Sequence, residues 1–261
     1  MNRMKNTPLI LVTNDDGVEA RGIHSLIEAV SPLGDVVVVA PDGPRSAQSN
    51  AITVNSPLRF WKHLEKDGLT VYRCNGTTTD CVKLALCNIL DRMPDIIVSG
   101  INHGSNSSAS VMYSGTMGGV FEGCRAGIPS IGFSLCNYDP RADFTVAMKY
   151  AYMLTETVLV EGLPKNTCLN VNVPPLEEVK GYKLCRQADG YWHEKFVKRE
   201  DPYGNNYYWL TGNYVNNEPQ ATDTDEAMMA QGYVSVVPCK IDLTDYEALK
   251  ELEKWNYEEK I

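Results

Sequence analysis

Apolar positions along the chain follow two rhythms. Leu9-Ile10-Leu11-Val12, Val36-Val37-Val38-Val39-Ala40, Ile96-Ile97-Val98 and residues 128–133 are short runs with few polar interruptions. Such runs, rich in β-branched residues, suit strands covered on both faces, as in a parallel sheet. Between them the spacing becomes helical. Ile23, Leu26, Ile27 and Val30 form one set; Val82, Ala85, Leu86, Ile89 and Leu90 a second; Phe144, Ala147, Met148, Ala151 and Leu154 a third. Thr77, with Asp80 three residues on, predicts a capped start for the second helix. The alternation predicts a doubly wound α/β domain, with a mostly parallel sheet and helices on both faces. Ligands of such sheets bind beyond the carboxyl ends of the strands.

Two stretches break the scheme. Residues 51–73 predict short strands joined by turns, with Lys66-Asp67-Gly68 as one turn. Residues 182–214 carry Tyr191, Trp192, Phe196, Tyr207, Tyr208 and Trp209, with turn signals at Asp189-Gly190 and Gly204-Asn205, and predict a β-hairpin. Its aromatic side chains need cover from the parent domain or from a second subunit, and composition leaves both open. Further on, residues 227–230 read as helix, 233–237 as strand, and Asp245 onward as a charged terminal helix. The chain thus divides into a core over 1–180, a hairpin extension over 181–218 and a segment over 219–261 that returns to the core.

Composition narrows the function. The 261 residues are 43% hydrophobic and 22% charged, an ordinary globular balance. The formal net charge of −9 repels polyphosphate at long range, which argues against a nucleic-acid duplex as partner. The charge of an anionic ligand has to be met locally, by a metal, a few cations or backbone N–H groups. The eight cysteines are scattered without a C-x-x-C pair and read as reduced, partly buried thiols. Arg3 and Lys5 are followed by no signal-like apolar run, and no apolar stretch is long enough to span a bilayer. A cytoplasmic protein without a membrane partner is the expectation.

The chemistry gathers at strand ends. Asn14-Asp15-Asp16-Gly17 follows the first strand. Two adjacent carboxylates repel each other, and a hard divalent cation is a natural counter-charge. Helix capping explains one of the two aspartates. After the second strand, Arg45 offers a phosphate-facing cation and Ser46 an oxygen ligand, unless this is simply a solvated loop. The third strand ends in Ser99-Gly100, followed by Ile101-Asn102-His103-Gly104-Ser105-Asn106 and Tyr113-Ser114-Gly115-Thr116. Asn102 supplies a neutral oxygen. Ser114-Gly115-Thr116 opens a helix whose N-terminal N–H groups suit a phosphate. His103 is a candidate general acid or a surface histidine.

These motifs in this order resemble the SurE family. The resemblance rests on residues 10–17 with Gly22-Ile23, Ala40-Pro41 with Ser46, Gly76-Thr77 with Asp80-Cys81-Val82, Pro94-Asp95 through Asn106, and Tyr113 to Thr116 with Glu122-Gly123. Thr224-Asp225 with Ala227, Gly232-Tyr233-Val234-Ser235 and Asp242-Leu243-Thr244 extend it over about residues 8 to 245. It departs from the family at Arg21, Ala47, Thr78 and Val237-Pro238-Cys239, of which Ala47 stands beside Ser46 where glycine is usual.

The resemblance implies a Rossmann-like α/β domain with a β-hairpin extension and a swapped C-terminal segment, assembled as a homodimer or tetramer. It also implies hydrolysis of nucleoside 5'- and 3'-monophosphates with one divalent metal, magnesium or manganese, per subunit. Asp15, Asp16, Ser46 and Asn102 match the family's metal ligands; Asn106, Ser114, Gly115 and Thr116 match its phosphate side. Asp15 is then the catalytic residue, orienting or deprotonating water, or becoming phosphorylated itself. Three rivals stand beside this. A haloacid-dehalogenase-type phosphatase needs Asp-x-Asp, which the adjacent Asp15-Asp16 does not provide. A receiver-like module is about half this length. A nucleotide-binding protein without catalysis is the third.

Overall fold

The computed structural model describes residues 7–255; Arg3, Lys5 and the last residues of the terminal segment lie outside the described residues. The first strand, β1 (Leu9–Thr13), is fully buried and leads through a polar turn into α1 (Arg21–Val30). Then come β2 (Asp35–Pro41), the hairpin β3 (Phe60–Lys66) and β4 (Leu69–Cys74), and α2 (Thr78–Leu84). β5 (Ile96–His103), α3 (Gly115–Arg125), β6 (Ser130–Leu135), α4 (Thr145–Glu161) and β7 (Thr167–Val173) complete the core. The chain continues as β8 (Tyr182–Leu184), β9 (Gly190–Glu200), β10 (Asn206–Asn216), α5 (Asp225–Ala230), β11 (Val234–Lys240) and α6 (Tyr246–Leu252).

Among the described residues, nine strands form one sheet in the order β3-β4-β2-β1-β5-β6-β7-β11-β8, while β9 and β10 form a separate two-stranded sheet. Strands β4, β2, β1, β5, β6 and β7 pair in parallel; β3 and β11 run antiparallel to their neighbours β4 and β7. Helices α1 and α4 pack together on one face and α2 and α3 on the other. The mostly parallel sheet with helices on both faces matches the α/β reading. β11 closes on β7 of the same chain, and β8 joins the main sheet. The charged strand β3 guards one edge with Lys62, His63, Glu65 and Lys66.

Local chemistry fixes the helix ends. Thr77 and Asp80 form a reciprocal capping box at α2. The apolar pattern through Leu90 does not continue as regular α-helix, because Ala85–Ile89 widens into a π-helical turn. Residues 51–59 form no strand, so only the later part of 51–73 is hairpin. Asp189-Gly190 is not a turn: Gly190 opens β9 opposite Asn216, and the chain reverses at residues 201–205.

One topological feature positions the site. From β1 the chain passes to β2 on one side and later returns to β5 on the other. The carboxyl ends of β1 and β5 flank this switch point, where open α/β sheets leave a crevice.

Candidate active site

Asp15 and Asp16 follow β1 at this crevice. Asn14 folds the strand tip, its carboxamide bonding Gly17 N and O at 3.2 and 3.0 Å. β5 runs past Ser99-Gly100 as far as His103, so Asn102 sits on the strand end rather than in a loop. Loop 42–49 is tied down by Arg45 N donating to Asp15 O at 2.7 Å and by Ser49 bonding backbone oxygens of Met112 and Tyr113. One cavity of about 400 Å³ is lined by Asp15, Asp16, Ser46, Asn102, Asn106 and Ser114, among others. Six of the eight expected site residues therefore share one space.

The other two lie behind it. Thr116 is fully buried, and its hydroxyl donates to Asp15 Oδ1 at 2.6 Å. Gly115 lies directly against Asp15: a Cβ on Gly115 would stand 2.7 Å from Asp15 Cβ. The start of α3 thus points at Asp15, and the side chain of Thr116 reaches a carboxylate where a phosphate was expected. Arg45, read as a phosphate-facing cation, is placed elsewhere. Its guanidinium bonds Asp42, Asn75 O and Gly76 O and is not on the cavity wall.

Burial pushes the Asp15 carboxyl up from 3.8 to about 6, with Asp16 adding to the rise and Thr116 opposing it. Asp16 is also raised, chiefly by burial, while the backbone N–H of His103 bonds its Oδ2 at 3.3 Å and counters the shift. Among the described ion pairs, no lysine or arginine meets either aspartate. Two desolvated carboxylates without a lysine or arginine partner make a site that favours an added cation. Asn102 Nδ2 is spent on Gly104 O at 2.8 Å, which leaves its Oδ1 as a ligand oxygen. No group of three or more His, Cys, Asp or Glu converges among the described residues. A metal here would have two carboxylates completed by the neutral oxygens of Ser46 and Asn102, a set that fits a hard divalent cation. Ala47, next to Ser46, holds φ 60, the left-handed region where glycine is at ease.

On the phosphate side, Ser114 Oγ caps α3 by accepting Met117 N at 3.0 Å and keeps its hydroxyl hydrogen for a ligand. Asn106 is held from behind by residues not identified from sequence. Asn172 Oδ1 accepts Asn106 N at 2.8 Å, and Asn170 Nδ2 donates to Asn106 O at 2.9 Å. The two carboxamides also bond each other at 3.1 Å. The signal was available: Leu169-Asn170-Val171-Asn172-Val173 is a buried strand with amides on one face. Asp225, also buried, clamps the same loop by accepting Ser108 N at 2.8 Å and Ala188 N at 3.0 Å. His103 lines the cavity edge-on to Phe144, with its Nε2 buried and unpartnered.

Fold and site together define a class: a doubly wound α/β protein with two adjacent desolvated aspartates at the switch point and hydrogen-bond donors beside them. The family model described as survival protein SurE matches residues 10–194, and the chain belongs to the SurE family. A relative named 5'-nucleotidase SurE from Phocaeicola vulgatus is 50% identical over 97% of this chain and 99% of its own length. One of the same name from Flavobacterium psychrophilum is 52% identical, covering 95% of this chain and 98% of its own length. The crystal structure of the SurE protein from Aquifex aeolicus superposes with a TM-score of 0.81 at 38% identity, covering 95% of this chain and 99% of the other. No described helix is long and apolar enough to cross a membrane.

Proposed function

We propose that this chain is a metal-dependent phosphomonoesterase, a 5'-nucleotidase that also takes nucleoside 3'-monophosphates and releases nucleoside and phosphate. The observation that carries the reading is the desolvated pair Asp15-Asp16, without a lysine or arginine partner among the described ion pairs, facing Asn106 and Ser114 across one cavity. The 5'-nucleotidase name of relatives near half identity over almost the whole chain supports the substrate class.

Asp15, Asp16, Ser46 and Asn102 would hold one magnesium or manganese ion. Bound there, the ion supplies charge to polarise a phosphate oxygen and to acidify a water molecule. The chain's own groups do the rest. Asn106 gives one Nδ2 hydrogen to Ser134 and keeps the second for a phosphate oxygen. Ser114 adds its hydroxyl hydrogen. Donors fixed before substrate arrives stabilise charge that develops in the transition state. Asp15 has one oxygen held by Thr116, which leaves Oδ2 to orient the attacking water or take its proton.

We also infer a homodimer or tetramer in which the hairpin β9–β10 is an interface. Phe196 and Leu210 are paired across it on one face and Trp209 lies on the other, each more than half exposed. An isolated two-stranded hairpin is marginal in water, and aromatic side chains are favoured at interface cores.

Phosphate release from adenosine 5'-monophosphate tests the activity. Turnover should vanish in EDTA and return with manganese or magnesium. Turnover unaffected by EDTA, or none with metal present, would overturn the reading.

A further inference from the structure

A second cavity of about 400 Å³ adjoins the acidic one. Ser105, Ser110, Tyr138 and Trp192 line both, so the two spaces meet along a shared wall. Cavities of comparable size elsewhere, such as those beside Lys83 and Glu122 or beside His24 and His63, share no wall residue with the acidic cavity.

The shared wall contains two aromatic rings open to solvent, of which Trp192 is anchored by a hydrogen bond and a ring contact. Trp192 is 40% exposed; its Nε1 donates to Ser110 Oγ at 3.1 Å and its ring meets Tyr214 edge-on at 6.2 Å. Tyr214 is fixed in turn by its hydroxyl, which bonds Ser108 Oγ at 2.8 Å. Tyr138 is 71% exposed, and its ring fills the space beside Gly104, where a Cβ would lie 2.4 Å from Cε1. Gly104 has φ +123, which also favours glycine, so loop and ring fit each other. Deeper in, Glu226 lines the cavity. Its Oε1 accepts the hydroxyl of Ser107, and its Oε2 has no partner among the described residues.

Resting on the phosphomonoesterase reading, we propose that this second cavity is the base subsite. The nucleotide's phosphate lies among Asp15, Asn106 and Ser114, and its ribose crosses the shared wall. Its base packs against Trp192 and Tyr138 while Glu226 Oε2 accepts an N–H from the base edge. Planar bases and aromatic side chains stack whatever the base. An ionised carboxylate only accepts, so it reads bases by the donors they present. Stacking accounts for the choice of nucleotides over other phosphate esters, and Glu226 for choice among bases.

The test compares adenosine 5'-monophosphate with ribose 5-phosphate, which has the same phosphoribose and no base. Trp192→Ala and Tyr138→Ala should each lower the kcat/KM ratio of the first over the second by roughly tenfold. Glu226→Gln should change the relative kcat/KM values of the four common nucleoside 5'-monophosphates by several-fold. An unchanged ratio in both aromatic variants would overturn the subsite. Unchanged base preference in Glu226→Gln would remove its reading role. Calorimetric binding of adenosine, which has no phosphate, separates this from the activity. If the wild-type protein hydrolyses neither ester, the phosphomonoesterase reading falls. Adenosine affinity lost in Trp192→Ala then still supports the subsite, and affinity absent or unchanged overturns it.

Discussion

Thr116 donates its hydroxyl to Asp15 Oδ1 at 2.6 Å, joining the first turn of α3 to the tip of β1 across 101 positions of sequence. The bond holds Asp15 in its ionised form, against the burial that raises its carboxyl. Thr116→Val keeps the shape and removes the donor. The Asp15 carboxyl should rise further, and kcat/KM should fall by an amount worth about 1–3 kcal/mol. The loss should be greater at pH 6 than at pH 8, because protonation then competes with metal binding. Thr116→Ser should recover most of it. Equal kinetics for valine and threonine at both pH values would show that the bond has no part in the reaction.

The metal-free protein should carry the cost of Asp15 in its stability. The carboxyl titrates near 3.8 when unfolded and at about 6 when folded. The folded state therefore holds the extra proton, and the stability this contributes is present below about pH 4 and lost as pH rises through 6. The shift corresponds to about 3 kcal/mol at most. In EDTA, Asp15→Asn should gain in Tm over the wild type as pH goes from 4.5 to 7, and manganese should raise only the wild-type Tm at pH 7. Thermal melts measure this. A difference in Tm that stays constant with pH would contradict the burial of an uncompensated carboxylate.

The hairpin should govern assembly. Light scattering of the intact chain should give a mass at least twice the 29.0 kDa of the monomer. Replacing Phe196 and Trp209 by serine should shift it downward. A fully active monomer of the intact chain would refute the interface and leave the metal site untouched.

Much of this was legible in the chain because one-residue signals matched one-element physics. Continuous apolar runs gave β1, β2 and β6, and Thr77 with Asp80 gave the start of α2. The acidic pair was readable as a candidate cation site because helix capping accounts for only one of two adjacent carboxylates. What escaped depends on contacts between distant segments. The carboxamides of Asn170 and Asn172 matter only because β7 lies beneath Asn106. Trp192 reads as an interface residue until its indole is found on Ser110, at the edge of the cavity. Arg45 was attractive by position, but nearby carbonyl groups and Asp42 claim its guanidinium. Thr116 was assigned to phosphate by resemblance, and only the packing of α3 on β1 shows that its hydroxyl reaches Asp15.

The central claim is that Asp15 and Asp16 together hold the metal on which phosphate release depends. It is tested most directly by turnover of adenosine 5'-monophosphate at saturating manganese by the wild type, Asp15→Asn and Asp16→Asn, with folding checked by circular dichroism. Removing one anionic ligand should lower kcat/KM by about a hundredfold or more in each folded variant, with weaker manganese binding by calorimetry. Folded variants that bind manganese and release phosphate at the wild-type rate would contradict it.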